Sequence, residues 1–192
     1  MVFIGIDPFA LKRFFFFLFG VIGFSSVSSF GQSLLLSVRS TPYDKQMRRI
    51  QSVLTAESGH EIRSVSLGMV NYWMGDLRSI PYGFTREWKT PAETAAGAPA
   101  DCKAKAIALY AKMRSHGAEN VRLVIGKRVA TSRRTHAWLE WSTETGTYVL
   151  DPTINWTAFQ GNQVGRHCYL PLYVFEGSRK FQAVPITLVA QN

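Results

Sequence analysis

The chain has 192 residues, 46% hydrophobic and 13% aromatic, with 18% charged and a net charge of +9. That is enough apolar material for one domain with a real core, since single domains commonly hold about 100–200 residues. The low charged fraction and the lack of repeats exclude a disordered chain, a collagen-like rod and a coiled coil.

The first 31 residues stand apart. Lys12-Arg13 is followed by the apolar run Phe14 to Phe24 and then by the small residues of "SSVSSFGQS". A basic pair, a short apolar run and small residues make up a secretory signal peptide. The run is too short for the roughly 20 residues of a membrane-spanning helix. Residues 1–31 therefore read as a signal peptide cleaved near Gly31–Gln32, with an uncleaved anchor as the alternative. Residues 32–192 read as one exported domain, periplasmic or secreted. Without Asp7, Lys12 and Arg13 its formal charge is +8. The basic residues are scattered, which suits anionic envelope polymers as neighbours. No basic helix stripe or aromatic RNA-binding motif is present, so nucleic acid is not expected as a partner.

Two helices open the domain. From Thr41 to Thr55, Tyr43, Met47, Ile50 and Leu54 recur at helical steps behind a Thr-Pro start. From Glu61 to Ile80, Ile62, Val65, Met69, Val70, Trp73 and Leu77 do the same, and Pro81 ends the run. Residues 81–102 read as a loop packed by Tyr82, Phe84 and Trp88, with a helical turn at Pro91–Ala96. A third helix runs from Lys103 to His116, with Ala106, Leu109, Tyr110 and Met113 on its apolar side and Lys105, Lys112 and Ser115 elsewhere. Gly117 stops it. The period then changes to two. "NVRLVIGKRVA", "THAWLEWS", "GTYVLDPT", "YLPLYVFEG" and "FQAVPITLVA" predict about five antiparallel strands, with a hairpin turn at Thr143–Thr147. Helices followed by such a sheet make an α+β fold.

Cys102 opens the third helix, His136 starts a strand and Asp151 ends the next one. Each position has a chemical reason. The N-terminal end of a helix favours a thiolate and offers N–H groups to an oxyanion. A histidine can take the thiol proton and return it to a leaving amine. Its second ring nitrogen needs a partner to fix tautomer and orientation, and Asp151 can be that partner. His136, Trp138 and Glu140 share one face of their strand and Leu139 and Trp141 the other, leaving His136 free to point toward the helix packed on the sheet. The competing reading is a disulfide between Cys102 and Cys168, the two cysteines of the chain, in an exported binding module without catalysis.

The segments "ADCKAKAIALYAKMRSHG", "VRLVIG", "THAWLEW" and "YVLDPT" together resemble the transglutaminase-like cysteine peptidase superfamily. The upstream "EWKTPAETAAGAPADC", with its Trp-x-x-Pro-x-Glu stretch, resembles the bacterial transglutaminase-like cysteine proteinases. The resemblance covers about residues 60–155. It implies a papain/transglutaminase-like fold: N-terminal helices and a central Cys-bearing helix packed on an antiparallel sheet. It also implies Cys102, His136 and Asp151 as a catalytic triad and a protein or peptide as substrate. Trp88 and Trp138 are candidates for the cleft wall or the oxyanion site. Two acceptors are open for the acyl group: water, giving a peptidase or amidase, and a lysine amine, giving a transglutaminase. The expected protein is a monomer without cofactor. The chain departs from the family in having Ala100 where Gly-Asp-Cys is common. It also has Lys103 and Ala104 where the calcium-dependent adhesin-cleaving branch carries acids, so no calcium or other metal site is expected.

Overall fold

The computed structural model of the chain describes residues 27–28, 33–58, 64–165 and 167–185. The signal-peptide reading of residues 1–31 lies outside them, apart from Val27–Ser28.

The apolar stripe of residues 41–55 folds as three short pieces: α1 (Asp44–Met47), a 3-10 turn (Arg48–Ile50) and α2 (Gln51–Thr55). Its anchors keep their places, for Met47, Ile50 and Leu54 are all buried. Helix α3 (Leu67–Ser79) begins later than the periodicity predicts because Ser66 caps it, its hydroxyl accepting from Met69 N at 3.2 Å. Ile80 leaves the helix in an extended conformation, as the residue before Pro81 must. The turn α4 (Pro91–Ala95) starts with a capping box between Thr90 and Glu93 and has Pro91 in its first turn. Helix α5 (Cys102–Ser115) is the longest among the described residues, and Gly117 follows it with φ 89°, a left-handed value suited to glycine.

Among the described residues the sheet has eight strands where about five are expected. They are β1 (Val27–Ser28), β2 (Ser33–Ser37), β3 (Val121–Val129), β4 (His136–Thr143), β5 (Gly146–Leu150), β6 (Phe159–Gln160), β7 (Cys168–Glu176) and β8 (Arg179–Pro185). The five longest segments of the second half are ones the alternation predicts, the last as far as Pro185; the rest of that predicted strand lies outside the described residues. The added strands are two-residue pieces and β2, whose "SLLLS" has no alternation. The order is β1-β2-β8-β7-β3-β4-β5-β6, and every neighbouring pair is antiparallel. The β4–β5 hairpin closes with Thr143 opposite Gly146, as the turn residues predict.

Two apolar clusters lie on the sheet's two sides. In the larger, Ile107, Leu109, Tyr110 and Met113 of α5 pack on Leu123, Ile125, Ala137, Leu139 and Trp141, with α3 supplying Val70, Trp73 and Met74. Each such side chain contributes about 1.5–3 kcal/mol of burial. The smaller joins Leu35, Val124, Trp138, Val149, Tyr169, Val174 and Ala183. Lys105, placed on the polar side of α5 by its charge, is 1% exposed instead. Its ammonium donates to the carbonyls of Ile80 at 2.6 Å and Arg78 at 3.4 Å, so it closes the C-terminal end of α3, where a cation is favoured. Burial lowers its pKa, helped by the nearby charge of Arg78 and opposed by Asp151.

Candidate active site

Cys102 is the first residue of α5, and Asp101 is its cap. The Asp101 carboxylate is buried and accepts from Ala104 N at 3.1 Å and from Thr85 N at 3.2 Å. It also holds the Lys103 ammonium, which bonds the Thr85 carbonyl at 3.0 Å and lies 5.1 Å from the centre of the Phe84 ring. One carboxylate thus ties the start of the helix to the 84–88 loop. Ala100 is fully buried, and its N–H donates to the Pro81 carbonyl at 2.9 Å. Its backbone has no positive φ, so the position does not require glycine.

His136 is the first residue of β4. Its Nε2 lies 2.7 Å from Asp151 Oδ2, and it lines the same cleft as Cys102, near enough for the sulfur to act on its charge. The three residues singled out in the sequence therefore meet. The approach of His136 differs from the expected one. Ala137, Leu139 and Trp141 face α5, whereas Trp138 lies in the cluster on the opposite side. His136 shares the Trp138 side, their rings stacked at 6.3 Å and 22°, and stands at the first position of β4. Burial disfavours the imidazolium, but the bonds to Asp151 and Cys102 and their charges outweigh it and raise the His136 pKa to about 9.

Asp151 is fully buried. Its Oδ1 accepts from Thr153 N at 3.1 Å and its carbonyl from Asn155 N at 2.9 Å, the local bonds of an Asp-Pro turn. Its Oδ2 takes a second donor besides His136, the Tyr169 hydroxyl at 2.9 Å, which in turn accepts from Asn155 Nδ2 at 3.0 Å. Tyr169 had no signal in the sequence. It follows Cys168 in β7 with φ 50°, a left-handed backbone unusual for an aromatic residue, and its ring is wedged between Trp138 and Phe159. Burial and the Asp151 carboxylate push its pKa up, so it is a hydrogen-bond donor at all ordinary pH.

The two cleft tryptophans take different places. Trp88 is 1% exposed, belongs to the larger core cluster and also lines the cleft over Cys102. Trp138 is fully buried behind His136, where its indole crosses Gly126, the residue paired with His136. A methyl group at Gly126 would come within 2.1 Å of the Leu170 carbonyl and 2.6 Å of the Trp138 ring, so glycine is required there. Both cysteines are free thiols, and Cys168 packs with the smaller cluster while Cys102 packs with the larger. The disulfide reading therefore has no counterpart in the structure.

Cys102 and His136 open into a cleft of about 1180 Å³, walled by the 82–88 loop on one side and residues 132–137 on the other. Among the described residues no group of three His, Cys, Asp or Glu side chains is arranged to hold a metal. No described helix is long and apolar enough to cross a membrane.

No protein-family model matches the sequence, and no curated protein matches it. Solved structures do. Calcium-bound LapG of Legionella pneumophila is similar over 74% of this chain and 81% of its own, with 14% identity and a TM-score of 0.53. EGTA-treated LapG of the same organism is similar over 72% and 86%, with 15% identity and a TM-score of 0.54. At that identity the likeness is one of fold: this chain has the α+β arrangement of helices and antiparallel sheet found in LapG.

Proposed function

We propose that the protein is an exported cysteine peptidase or amidase of the transglutaminase-like type, with Cys102 as nucleophile, His136 as acid and base and Asp151 as its orienting partner. The observation that carries the reading is the His136–Asp151 hydrogen bond at 2.7 Å, with His136 and Cys102 lining one cleft at a helix N-terminus. The thiol proton passes to His136, and the sulfur attacks a substrate carbonyl. The first N–H groups of a helix have no intrahelical acceptor; that of Ala104 is taken by Asp101, and that of Cys102 is available to the oxyanion. The C–N bond then breaks, the amine leaves with the proton from His136, and a thioester remains on Cys102. Water, giving its proton to His136, attacks the thioester and releases the acid. A primary amine in place of water would give transamidation. Trp88 closes the cleft wall, and Trp138 keeps the far side of the imidazole dry.

A resident calcium ion does not fit this chain. The Asp101 carboxylate beside the nucleophile is already paired with Lys103, whose ammonium cannot ligate a cation. Export to the periplasm or outside the cell is proposed from the pattern of residues 12–31. The working unit is proposed to be a monomer acting on protein or peptide, with no cofactor.

The test is alkylation of the folded protein by iodoacetamide, read by mass spectrometry. Cys102 should label well ahead of Cys168, and His136→Ala should slow it by about 10²-fold or more, the size of a lost acid–base group. Equal labelling of Cys102 in both proteins would end the proposal. A dansylated amine, offered together with a peptide substrate, separates hydrolysis from transamidation by whether it becomes attached.

A further inference from the structure

The cleft is lined by Arg86, Arg128, Arg133 and Arg134 besides Lys103, and by no aspartate or glutamate. All four arginines are exposed, and among the described residues none is in an ion pair. Five carboxylates are paired elsewhere, Glu87 and Glu93 with Arg49, Glu140 with Arg122, Asp44 with Lys180 and Glu176 with Arg179, and Glu57, Asp76, Glu119 and Glu144 do not line the cleft. Arg128, Arg133 and Arg134 thus crowd the β3–β4 connection beside His136 without a counter-charge, an arrangement that costs the free protein repulsion. Across the cleft stand exposed Tyr82 and Phe84, and Ile154 completes an apolar margin. Arg134 is close enough for its charge to act on the Tyr82 hydroxyl.

Resting on the peptidase reading, we infer that the substrate is a peptide segment with acidic side chains next to the amide that is cut, bound between these arginines and the Tyr82–Phe84 wall. An extended chain sends successive side chains to opposite sides. One side would meet guanidinium groups, which take carboxylates in paired hydrogen bonds, and the other the aromatic rings. Arg134 is two residues from His136, a span of at most about 7 Å even in a fully extended chain, so a carboxylate on it lies within a few residues of the reacting carbonyl. A lipid or polysaccharide surface would need charge on a broad face. Here the charge and the apolar wall share a single recess with the thiol.

Iodoacetyl peptides test this without knowledge of the natural substrate. Two are compared, one with glutamate and leucine after the iodoacetyl group and one with glutamine for glutamate, each rate at Cys102 divided by the iodoacetamide rate of the same protein. The glutamyl peptide should label Cys102 about ten-fold faster than the glutaminyl one at low salt, and the ratio should shrink as salt is raised. In the Arg133→Gln, Arg134→Gln double variant it should fall close to one. A ratio near one in the unaltered protein, or a ratio the double variant keeps, would overturn the inference. So would protection of Cys102 by phosphatidylglycerol vesicles but not by polyglutamate, which would assign the arginines to a membrane surface. Failure of the peptidase reading shows separately, as an iodoacetamide rate indifferent to His136→Ala.

Discussion

The Tyr169 hydroxyl is the deepest support of the site, and Tyr169→Phe isolates it. The substitution keeps the ring between Trp138 and Phe159 and removes only the donor at 2.9 Å from Asp151 Oδ2 and the acceptor at 3.0 Å from Asn155 Nδ2. Asp151 has no exposed surface, so water cannot replace the lost bond. A hydrogen bond to a charged group is worth about 1.5–3 kcal/mol, and at this chain length that lowers Tm by about 4–10 °C. The effect should also be chemical. With one donor fewer on Oδ2, the carboxylate acts more strongly on His136, and the inflection near pH 9 should move upward. Thermal melts and the pH profile of Cys102 alkylation read the two effects. A Tm within about 1 °C of the unaltered protein, together with an unmoved inflection, would refute the reasoning.

The His136–Asp151 pair also sets a pH window for stability. Because the folded pKa of His136 is raised, its contribution is fully present below about 6.5 and is lost as pH climbs through about 9; a rise of that size corresponds to on the order of 3 kcal/mol. The Tm difference between the unaltered protein and His136→Ala should therefore narrow from pH about 6 to about 10, and a constant difference would contradict it. Gly126→Ala should destabilise by about 2 kcal/mol or more, since the added carbon meets the Leu170 carbonyl and the Trp138 ring; a stable, fully reactive variant would show that the sheet yields there. Lys103→Met leaves the buried Asp101 carboxylate without its cation and should cost about 3 kcal/mol in chemical denaturation. Calcium and EGTA should leave the Tm of the unaltered protein where it is, and a rise with calcium would mean that Lys103 gives way to the ion.

What was legible in the sequence follows from what is local. Stripes at helical spacing located Met47, Ile50 and Leu54, and Asp-Cys after a run of small residues marked the start of α5. The His136 and Asp151 pair was within reach because one short hairpin joins their strands. Lys105 was misplaced because its acceptors, the carbonyls ending α3, are supplied by a helix some 25 residues earlier. The face of His136 was misjudged for a similar reason: alternation says which residues share a side but not which side a helix will cover. Tyr169 left no trace because its role depends on a strand brought back beside β3 and on an unusual backbone angle, neither of which has a composition. The β2 strand escaped because its main partner, β8, lies at the other end of the domain.

That last pairing has a kinetic consequence. Ser33–Ser37 meets its full-length neighbour only when Arg179–Pro185 has been synthesised, and the central β3–β7 pairing likewise waits for late residues. Contacts so distant along the chain form slowly, because a large loop must close before they are rewarded. A nascent chain of this design keeps its sheet open until the β8 residues have been made.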